Sequence, residues 1–181
     1  EILCQASQAS NWESLSTDLD RPGFMVFDIS AVDENVIWTI PVDPSFNLAS
    51  KDFAKTIDGG LTWQTGMVVP VSNPDFHSVQ IQALDENTAW VMMLSAEGQT
   101  SGKMHKTTDG GLTWVEQTSS FTNPNEGPKV FHFFNANDGF ALVPDNGNLD
   151  IHVGYVTSDG GDTWEKLNSD AYPAVAGERL Q

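Results

Sequence analysis

The feature that most constrains the fold is a nine-residue stretch that occurs three times at a nearly constant spacing. The copies read KTIDGGLTW at 55–63, KTTDGGLTW at 106–114 and VTSDGGDTW at 156–164. Asp58 and Asp109 are 51 positions apart, and Asp109 and Asp159 are 50 positions apart. Near-identical stretches at one period are typical of a chain built from repeated supersecondary units.

A second signature lies upstream of each copy and keeps the same period. It reads VDENVIW at 32–38, LDENTAW at 84–90 and FNANDGF at 134–140. Because two independent signatures repeat together and always in the same order, chance is a poor explanation. We call the two elements the DEN-type turn and the DGG turn.

Between the signatures, apolar residues follow a period of two, which is typical of strands. No segment shows the 3.6-residue period of an amphipathic helix. About four short strands in each repeat predict an all-β chain of β-propeller blades, each a sheet of four antiparallel strands. The β-rich runs are 24–30, 36–42, 78–84, 88–94, 129–134 and 139–143.

Each DGG stretch is predicted to form a tight hairpin turn, because consecutive glycines accept positive φ at little steric cost. The aspartate can accept hydrogen bonds from backbone N–H groups, the threonine hydroxyls can bond locally, and the tryptophan is expected to pack between sheets. Catalysis would need only one copy, so the three copies predict a structural role. The residues concerned are Thr56, Asp58, Gly59, Gly60, Thr62, Trp63, Thr107, Asp109, Gly110, Gly111, Thr113, Trp114, Thr157, Asp159, Gly160, Gly161, Thr163 and Trp164.

The pattern T-x-D-G-G-x-T-W resembles the Asp-box, or BNR, repeat of sialidases, sortilin-type receptors, xyloglucan-active glycosidases and photosystem II assembly factors. The DEN-x-A-W element at 85–90, paired with K-T-T-D-G-G-x-T-W, is most similar to the assembly factors. The chain also resembles large secreted propeller proteins of gliding and marine bacteria. This resemblance covers about residues 11–167. It implies a propeller in which each box joins the third and fourth strands of a blade, away from the ligand face.

The repeat divides the chain into three blades with a fragment at each end. We predict a lead at 1–10, a lone outer closing strand at 11–16, blades at 17–66, 67–117 and 118–167, and the start of a further blade at 168–181. A closed propeller needs at least four blades. Three explanations remain open: the chain is part of a longer protein, two copies complete one ring, or the blades form a small or open array.

Charge narrows the range of partners. The chain has 25 Asp and Glu against 8 Lys and Arg, a net charge of −17. The negative electrostatic field of such a chain repels phosphate backbones and anionic lipid, so no nucleic-acid partner is expected. Cations such as Ca²⁺ and basic partners would be attracted. The sequence also contains no run of 18 or more apolar residues, so no membrane insertion is predicted.

The only cysteine, Cys4, excludes an intrachain disulfide. Leu3 before it does not fit lipoprotein processing, which needs a small residue there. The chain opens with Glu1 and not with Met, so we expect a processed chain. With the resemblance, this predicts a protein that is secreted, periplasmic or at the cell surface.

Candidate catalytic residues are few. A sialidase clamps its substrate carboxylate with several arginines, and this chain has only Arg21 and Arg179. A glycosidase needs two carboxylates across the sugar bond. Asp33 and Asp85 are repeat-equivalent, which favours turn capping. The better candidates lie in loops that do not repeat, and they are Glu97, Glu126, Asp145 and Asp150.

Metal-binding patterns are weak. The histidines show no close ligand spacing and are predicted to be ordinary strand residues and not zinc ligands; they are His77, His105, His132 and His152. The segment Asp145-Asn-Gly-Asn-Leu-Asp150 has the oxygen-rich composition of a Ca²⁺ loop. It departs from the EF-hand pattern and lacks the distal glutamate, so a hairpin turn is the preferred interpretation. No other cofactor is predicted.

Loops that differ between repeats are the expected contact surface, because variable loops carry function on repeated scaffolds. The loops are 43–51, 70–76, 95–103, 121–129 and 145–150. The sequence therefore favours a non-catalytic extracellular propeller module that binds protein or glycan or scaffolds a surface assembly. A fragment of a carbohydrate-active glycoside hydrolase is the alternative, and catalytic activity remains open.

Overall fold

The computed structural model describes residues 25–42, 51–69, 76–95, 102–117, 121, 127–145 and 148–167. Within these ranges the regular elements are strands, and no helix there has the length and apolar character needed to cross a bilayer. The predicted lead at 1–10, the closing strand at 11–16 and the segment 168–181 lie outside the described residues.

The strands form three antiparallel sheets of four strands each, which we call blades 1, 2 and 3. Blade 1 contains β1 (Met25–Ala31), β2 (Ile37–Val42), β3 (Asp52–Thr56) and β4 (Gln64–Met67). Blade 2 contains β5 (Phe76–Ala83), β6 (Ala89–Ser95), β7 (Lys103–Thr107) and β8 (Val115–Glu116). Blade 3 contains β9 (Val130–Phe133), β10 (Gly139–Asp145), β11 (Asn148–Thr157) and β12 (Glu165–Lys166).

Strands that follow one another in sequence are hydrogen-bonded neighbours in every sheet. The register repeats as well, since Trp38 pairs with Lys55 in blade 1 and Trp90 pairs with Lys106 in blade 2. Each sheet is therefore the same four-stranded meander, and the all-β prediction of propeller blades is confirmed.

The cores lie between blades, because each strand places alternate side chains on opposite faces of its sheet. In β6, Trp90 and Met92 pack toward blade 3, whereas Val91 and Met93 pack toward blade 1. All four are fully buried. This position between two neighbours explains why β6 is apolar from Ala89 to Leu94 and does not alternate with polar residues there.

We call the face of a blade that packs on the blade before it in sequence its leading face, and the opposite face its trailing face. The contact between blades 2 and 3 joins the trailing residues Trp90, Met92 and Met104 to a leading face rich in aromatic residues. The indole of Trp90 stacks on the ring of Phe133, with centroids 3.9 Å apart and planes 8° from parallel. Stacked aromatic rings of this kind add to the stabilisation from apolar burial.

Candidate functional site at the two ends of the blades

The DGG turn of blade 1 joins β3 to β4 through hydrogen bonds made by two side chains. The hydroxyl of Thr56 donates to Asp58 Oδ1 at 2.8 Å and accepts the N–H of Gly60 at 2.9 Å. Asp58 also accepts the backbone N–H of Thr62 at 2.9 Å, and its other oxygen accepts the Thr62 hydroxyl at 2.6 Å. The carboxylate therefore holds both ends of the turn together.

The same contacts recur in the other two turns. In blade 2, Asp109 accepts the hydroxyl of Thr107 at 2.9 Å and that of Thr113 at 2.6 Å. In blade 3, Asp159 accepts the hydroxyl of Thr157 at 2.7 Å and that of Thr163 at 2.6 Å. The Gly111 and Gly161 N–H groups donate to the first threonine of their turns at 2.9 and 3.0 Å.

Positive φ values at both glycines make each turn possible. In blade 1, Gly59 has a φ of 71° and Gly60 a φ of 90°. Residues with a Cβ rarely adopt positive φ, so the backbone conformation of the turn favours glycine at both positions. The equivalent residues are Gly110, Gly111, Gly160 and Gly161, and their φ values lie between 76° and 95°.

Hydrogen bonding lowers the pKa values of the three turn aspartates. The threonine hydroxyl and N–H at the end of each turn lower the pKa of Asp58 and Asp109, and they lower that of Asp159 to about 2. A general acid or base works best with a pKa near the working pH. The aspartates are thus held ionised, which suits a structural anchor and does not suit proton transfer near neutrality.

The DEN-type turns are capped in a similar way. Asp33 Oδ1 accepts the N–H groups of Asn35 and Val36, both at 2.8 Å, and these bonds lower the pKa of Asp33. Asp85 makes the equivalent bonds in blade 2 at 2.7 Å, and Asn135 makes them in blade 3 at 2.8 Å. Asp33 and Asp85, for which the repeat favoured turn capping, therefore cap their turns in the structure.

The two turns of each blade bind one another. The first glycine N–H of the DGG turn donates to the carbonyl of the fourth residue, an asparagine, of the DEN-type signature in the same blade. These bonds run from Gly59 to the Asn35 carbonyl at 3.1 Å, from Gly110 to Asn87 at 2.9 Å and from Gly160 to Asn137 at 2.7 Å. The sequence did not predict this contact. The period that the two signatures share was the one indication that the two turns belong together.

Lysine side chains connect the turns of neighbouring blades. Lys55 Nζ donates to the carbonyl oxygens of Glu86 at 3.0 Å and Gly110 at 2.9 Å, in the two turns of blade 2. Its side chain is buried, and burial lowers the pKa of its amine. Lys106 repeats the arrangement toward blade 3, where its Nζ donates to the Ala136 carbonyl at 3.1 Å.

Tryptophan side chains add a second connection. Trp38 Nε1 donates to the carbonyl of Asp85 in blade 2 at 3.1 Å, and Trp90 Nε1 donates to that of Gly160 in blade 3 at 2.8 Å. Lys55 Nζ lies 4.8 Å from the centre of the Trp38 ring, a distance suited to a cation–π contact. We call the end of the blades that carries the DEN-type and DGG turns the turn end. Hydrogen bonds within and between blades connect these turns.

The tryptophans of the DGG turns differ in their surroundings. Trp63 and Trp164 donate their indole N–H to Gly60 and Gly161 of their own turns, at 3.2 and 3.1 Å. Trp114 instead packs edge-on against Trp38 of blade 1, with centroids 6.2 Å apart. The predicted packing between sheets is thus seen for Trp114, which faces blade 1, and for Trp164, which is buried in the core between blades 2 and 3.

The opposite end of the array carries the loops that differ between repeats. In a meander, the β1–β2 and β3–β4 turns share one end, so the β2–β3 loop and the connection to the next blade lie at the other. The same holds for blades 2 and 3. Loop residues 43–50, 70–75, 96–101 and 122–126 lie outside the described residues, as do Glu97 and Glu126.

The proposed calcium segment is a hairpin connection in the structure. Asp145 at the end of β10 pairs with Asn148 at the start of β11. The Asp145 carboxylate accepts a hydrogen bond from Lys166 Nζ at 3.1 Å. The side chain of Asp150 is outside the description. Among the described residues, no cluster of three or more His, Cys, Asp or Glu could hold a metal.

The histidines lie on strands and are far from equivalent. His105 is 5 % exposed, its Nε2 lies 4.0 Å from Glu116 Oε2, and burial lowers its pKa. His132 is exposed, and its Nδ1 lies 3.2 Å from Gln82 Nε2. His152 is exposed as well. Outside the description are the side chain of His77 and the residues Cys4, Arg21 and Arg179.

Comparison with solved structures agrees with this fold. YCF48 bound to D1 peptide is 20% identical with a TM-score of 0.53, over 80% of this chain and 40% of that one. YCF48 from Cyanidioschyzon merolae is 21% identical with a TM-score of 0.56, over 86% and 44%. The GH74 enzyme of Niastella koreensis is 18% identical with a TM-score of 0.47, over 73% and 20%.

The chain thus spans less than half the length of either YCF48 structure. No protein-family model and no curated protein sequence matches it. The resemblance to assembly-factor propellers, first seen in the repeat, is confirmed at the level of the fold.

Proposed function

We propose that this chain is a non-catalytic propeller module whose loop end binds a basic segment of a protein partner. The observation that carries the proposal is the separation of the two ends of the blades. Repeated turns fill one end with internal hydrogen bonds, whereas the loops that differ between repeats gather at the other. Variable loops on a rigid repeated scaffold are a common form of binding surface.

Charge supports a basic ligand. Half of the basic side chains are engaged within the protein: Lys55 and Lys106 bind the next blade, Lys103 binds Glu116 at 2.8 Å and Lys166 binds Asp145 at 3.1 Å. The five variable loops contain six acids and three lysines. The acids are Asp43, Asp75, Glu97, Glu126, Asp145 and Asp150, and the lysines are Lys51, Lys103 and Lys129. An anionic loop end favours cationic segments and speeds their association.

A peptide segment is the favoured form of the ligand, because the similar YCF48 structure contains a bound D1 peptide. The hydrogen bonds that lower the pKa of the turn aspartates support a structural role for these residues. We further propose that the module works outside the cytoplasm, as a secreted, periplasmic or cell-surface protein, and that a further chain segment or a second copy completes the propeller. Glycan binding or scaffolding of a surface assembly are the competing uses of the same loop end.

Fluorescence anisotropy with two labelled, unstructured peptides of equal length tests the proposal. One peptide is rich in Lys and Arg, and the other has Glu at the same positions. We expect only the basic peptide to bind, with an affinity that falls as NaCl rises from about 50 to about 300 mM. Equal binding of both peptides would contradict the proposal.

Two matched variants locate the binding end. Glu97→Gln with Glu126→Gln removes charge from the loop end, and Glu34→Gln with Glu86→Gln removes the same charge from the turn end. We expect the first pair to weaken binding several-fold more than the second. Equal weakening by the two pairs would place the ligand elsewhere.

A glycan array and an aryl-glycoside assay complete the test, with and without added Ca²⁺. Turnover that disappears in Asp145→Asn while the fold is retained would establish the hydrolase alternative. Glycan binding without peptide binding would establish the lectin alternative.

A further inference from the structure

The contact between blades 1 and 2 contains a buried histidine. His105 lies on β7, and strand register places it between Val91 of β6 and Glu116 of β8. Residues paired across strands share one face of the sheet, and Val91 packs toward blade 1. The His105 side chain therefore lies on the leading face of blade 2, where it is only 5% exposed.

The equivalent positions of the other two blades carry side chains that keep their charge near neutral pH. By strand register they are Ala54 in blade 1 and Tyr155 in blade 3. Tyr155 is also buried, and its ring lies edge-on to that of Phe121, with centroids 5.3 Å apart. A phenol titrates near pH 10, whereas an imidazole changes its charge between about pH 5 and 8. Of the three described blades, only blade 2 places such a group at this position.

The two ring nitrogens of His105 have different surroundings. Nε2 lies 4.0 Å from Glu116 Oε2, which is too far for a direct hydrogen bond. Nδ1 is buried and has no hydrogen-bond partner among the described residues. A neutral imidazole can leave one nitrogen as a bare acceptor, whereas an imidazolium carries an N–H at both. Protonation would therefore place a charged donor without an acceptor inside the contact, which is costly.

Charged groups of blade 2 do not remove this cost. Glu116 is the nearest acid, but its side chain is half exposed, and both of its carboxylate oxygens accept hydrogen bonds from Lys103 Nζ at 2.8 Å. The positive charge of Lys103 also disfavours a second cation beside it. Burial thus outweighs the attraction of Glu116 and lowers the pKa of His105.

Charged groups of blade 1 do not provide a partner either. By strand alternation, the charged side chains of its described residues that face blade 2 are Asp28, Lys55 and, just before β3, Lys51. Asp28 accepts the backbone N–H of Ile81, and Lys55 donates to the turns of blade 2. The lysines would repel an imidazolium, so blade 1 favours the neutral ring.

The same contact contains two further buried polar atoms without partners among the described residues, Ser78 Oγ and Trp114 Nε1. Both side chains lie on the leading face of blade 2. In the contact between blades 2 and 3, the equivalent indole of Trp164 donates to the Gly161 carbonyl at 3.1 Å. Because buried polar atoms without partners lower stability, the contact between blades 1 and 2 already carries a cost that a charged His105 would increase.

We propose that protonation of His105 loosens the contact between blades 1 and 2 in mild acid, while the contact between blades 2 and 3 stays closed. An exposed imidazole titrates near pH 6.5, and separation of the two blades would return the ring to water. Because its pKa is lowered in the folded chain, the stabilisation from the neutral ring is complete above about pH 6.5. It is lost as the pH falls below this value.

Two backbone N–H groups report separately on the two contacts. Ala83 donates to Ser30 Oγ of blade 1 at 2.9 Å, and Phe133 donates to Gln82 Oε1 of blade 2 at 2.6 Å. Neither acceptor titrates. Hydrogen exchange of the full chain, followed by NMR and corrected for the intrinsic effect of pH, gives a protection factor for each group. Between about pH 7 and about pH 5, we expect the protection of Ala83 to fall roughly tenfold and that of Phe133 to stay within about twofold.

This measurement uses the unmodified protein, so it does not depend on whether a variant folds. Constant protection of Ala83 would show that the contact accommodates the charge, and an equal fall at both groups would show that the array loosens as a whole. Either result would overturn the proposal.

Variants assign the effect to His105. His105→Tyr introduces the residue that blade 3 carries at this position, and His105→Gln is a smaller neutral replacement. We expect the fall in Ala83 protection to disappear in both. The control His152→Gln removes an exposed histidine and should leave the fall unchanged. Persistence of the fall in the two His105 variants, or its loss in the control, would assign the pH response to another group and refute the proposal.

Discussion

Lys55 Nζ lies 2.9 Å from the carbonyl oxygen of Gly110, so a side chain of blade 1 closes the turn of blade 2. The same ammonium group donates to the backbone carbonyl of Glu86 in the DEN-type turn of blade 2. Side chains of blades 1 and 2 thus complete hydrogen bonds of the blade that follows them. These lysine and tryptophan contacts are directional, because the side chain always comes from one blade and the backbone carbonyl from the blade that follows it.

Substitution of Lys55 tests this connection. Lys55→Met keeps the apolar stem and removes the donor, leaving two carbonyls without their partner, so we expect a loss of about 1–3 kcal/mol in the free energy of unfolding. Lys106→Met is the matched variant, and it should cost less because Lys106 is more exposed and donates to the Ala136 carbonyl. Urea denaturation of both variants measures the difference. A larger loss in Lys106→Met would contradict the assignment.

The buried Thr107 of the DGG turn should contribute more to the stability of the fold than its exposed neighbour Thr108. Thr107→Val preserves shape but removes the hydroxyl that accepts the Gly111 N–H and donates to Asp109. Because Thr107 is 1% exposed, the Gly111 N–H would be left without a hydrogen-bond partner in a site that water does not reach. We expect this to lower the free energy of unfolding by about 1–3 kcal/mol. Thr108→Val changes an exposed threonine and should have little effect. Thermal unfolding of the two variants distinguishes them, and equal midpoints would show that the hydroxyl bonds are unimportant.

Two glycines with positive φ should differ in their tolerance of alanine. A Cβ on Gly111 would overlap the ring of Phe53, whereas a Cβ on Gly59 would meet its nearest neighbour, the Glu34 carbonyl, at 3.3 Å. Both variants carry the cost of a left-handed residue, about 1–2 kcal/mol. Gly111→Ala should lose more stability because it also displaces Phe53 from the contact between blades. Equal stability of the two variants would show that the ring moves freely.

Acid should weaken the turn of blade 3 in a defined pH range. Hydrogen bonds from Thr163 lower the pKa of Asp159 from 3.8 to about 2 in the folded chain. A lowered folded pKa adds stability that is complete above the unfolded value and is lost as the pH falls from about 4 toward 2. Asp159→Asn should therefore show a shallower decline in unfolding free energy over this range than the unmodified protein, as measured by urea titration at each pH. An identical decline in both would rule out this contribution.

Local chemistry explains why much of the fold could be predicted from sequence. The predicted strand 36–42 is Ile37–Val42 in the structure, and 139–143 is Gly139–Asp145. Turn residues and strand alternation act over a few positions, so their meaning does not depend on distant parts of the chain. The hydrogen bonds within each DGG turn span at most four positions, and the residue types alone suggested most of them.

The contacts between blades could not be derived in the same way. Lys55 and Gly110 are 55 positions apart, and no local pattern says that one side chain reaches the other. Val130, Phe140 and Val156 read in the sequence as ordinary differences between repeats. Strand register shows that they share one face of blade 3, and that Phe140 and Val156 stand where blades 1 and 2 carry tryptophan and lysine.

The sequence by itself thus determined the unit of this protein: a four-stranded blade closed by an acidic diglycine turn, repeated at a fixed period. Only the tertiary structure decided how the blades contact one another and which end of them is filled by internal hydrogen bonds. The physical reason is that turns and strands are specified by neighbouring residues, whereas the satisfaction of buried backbone groups between sheets depends on which residues the packing brings together.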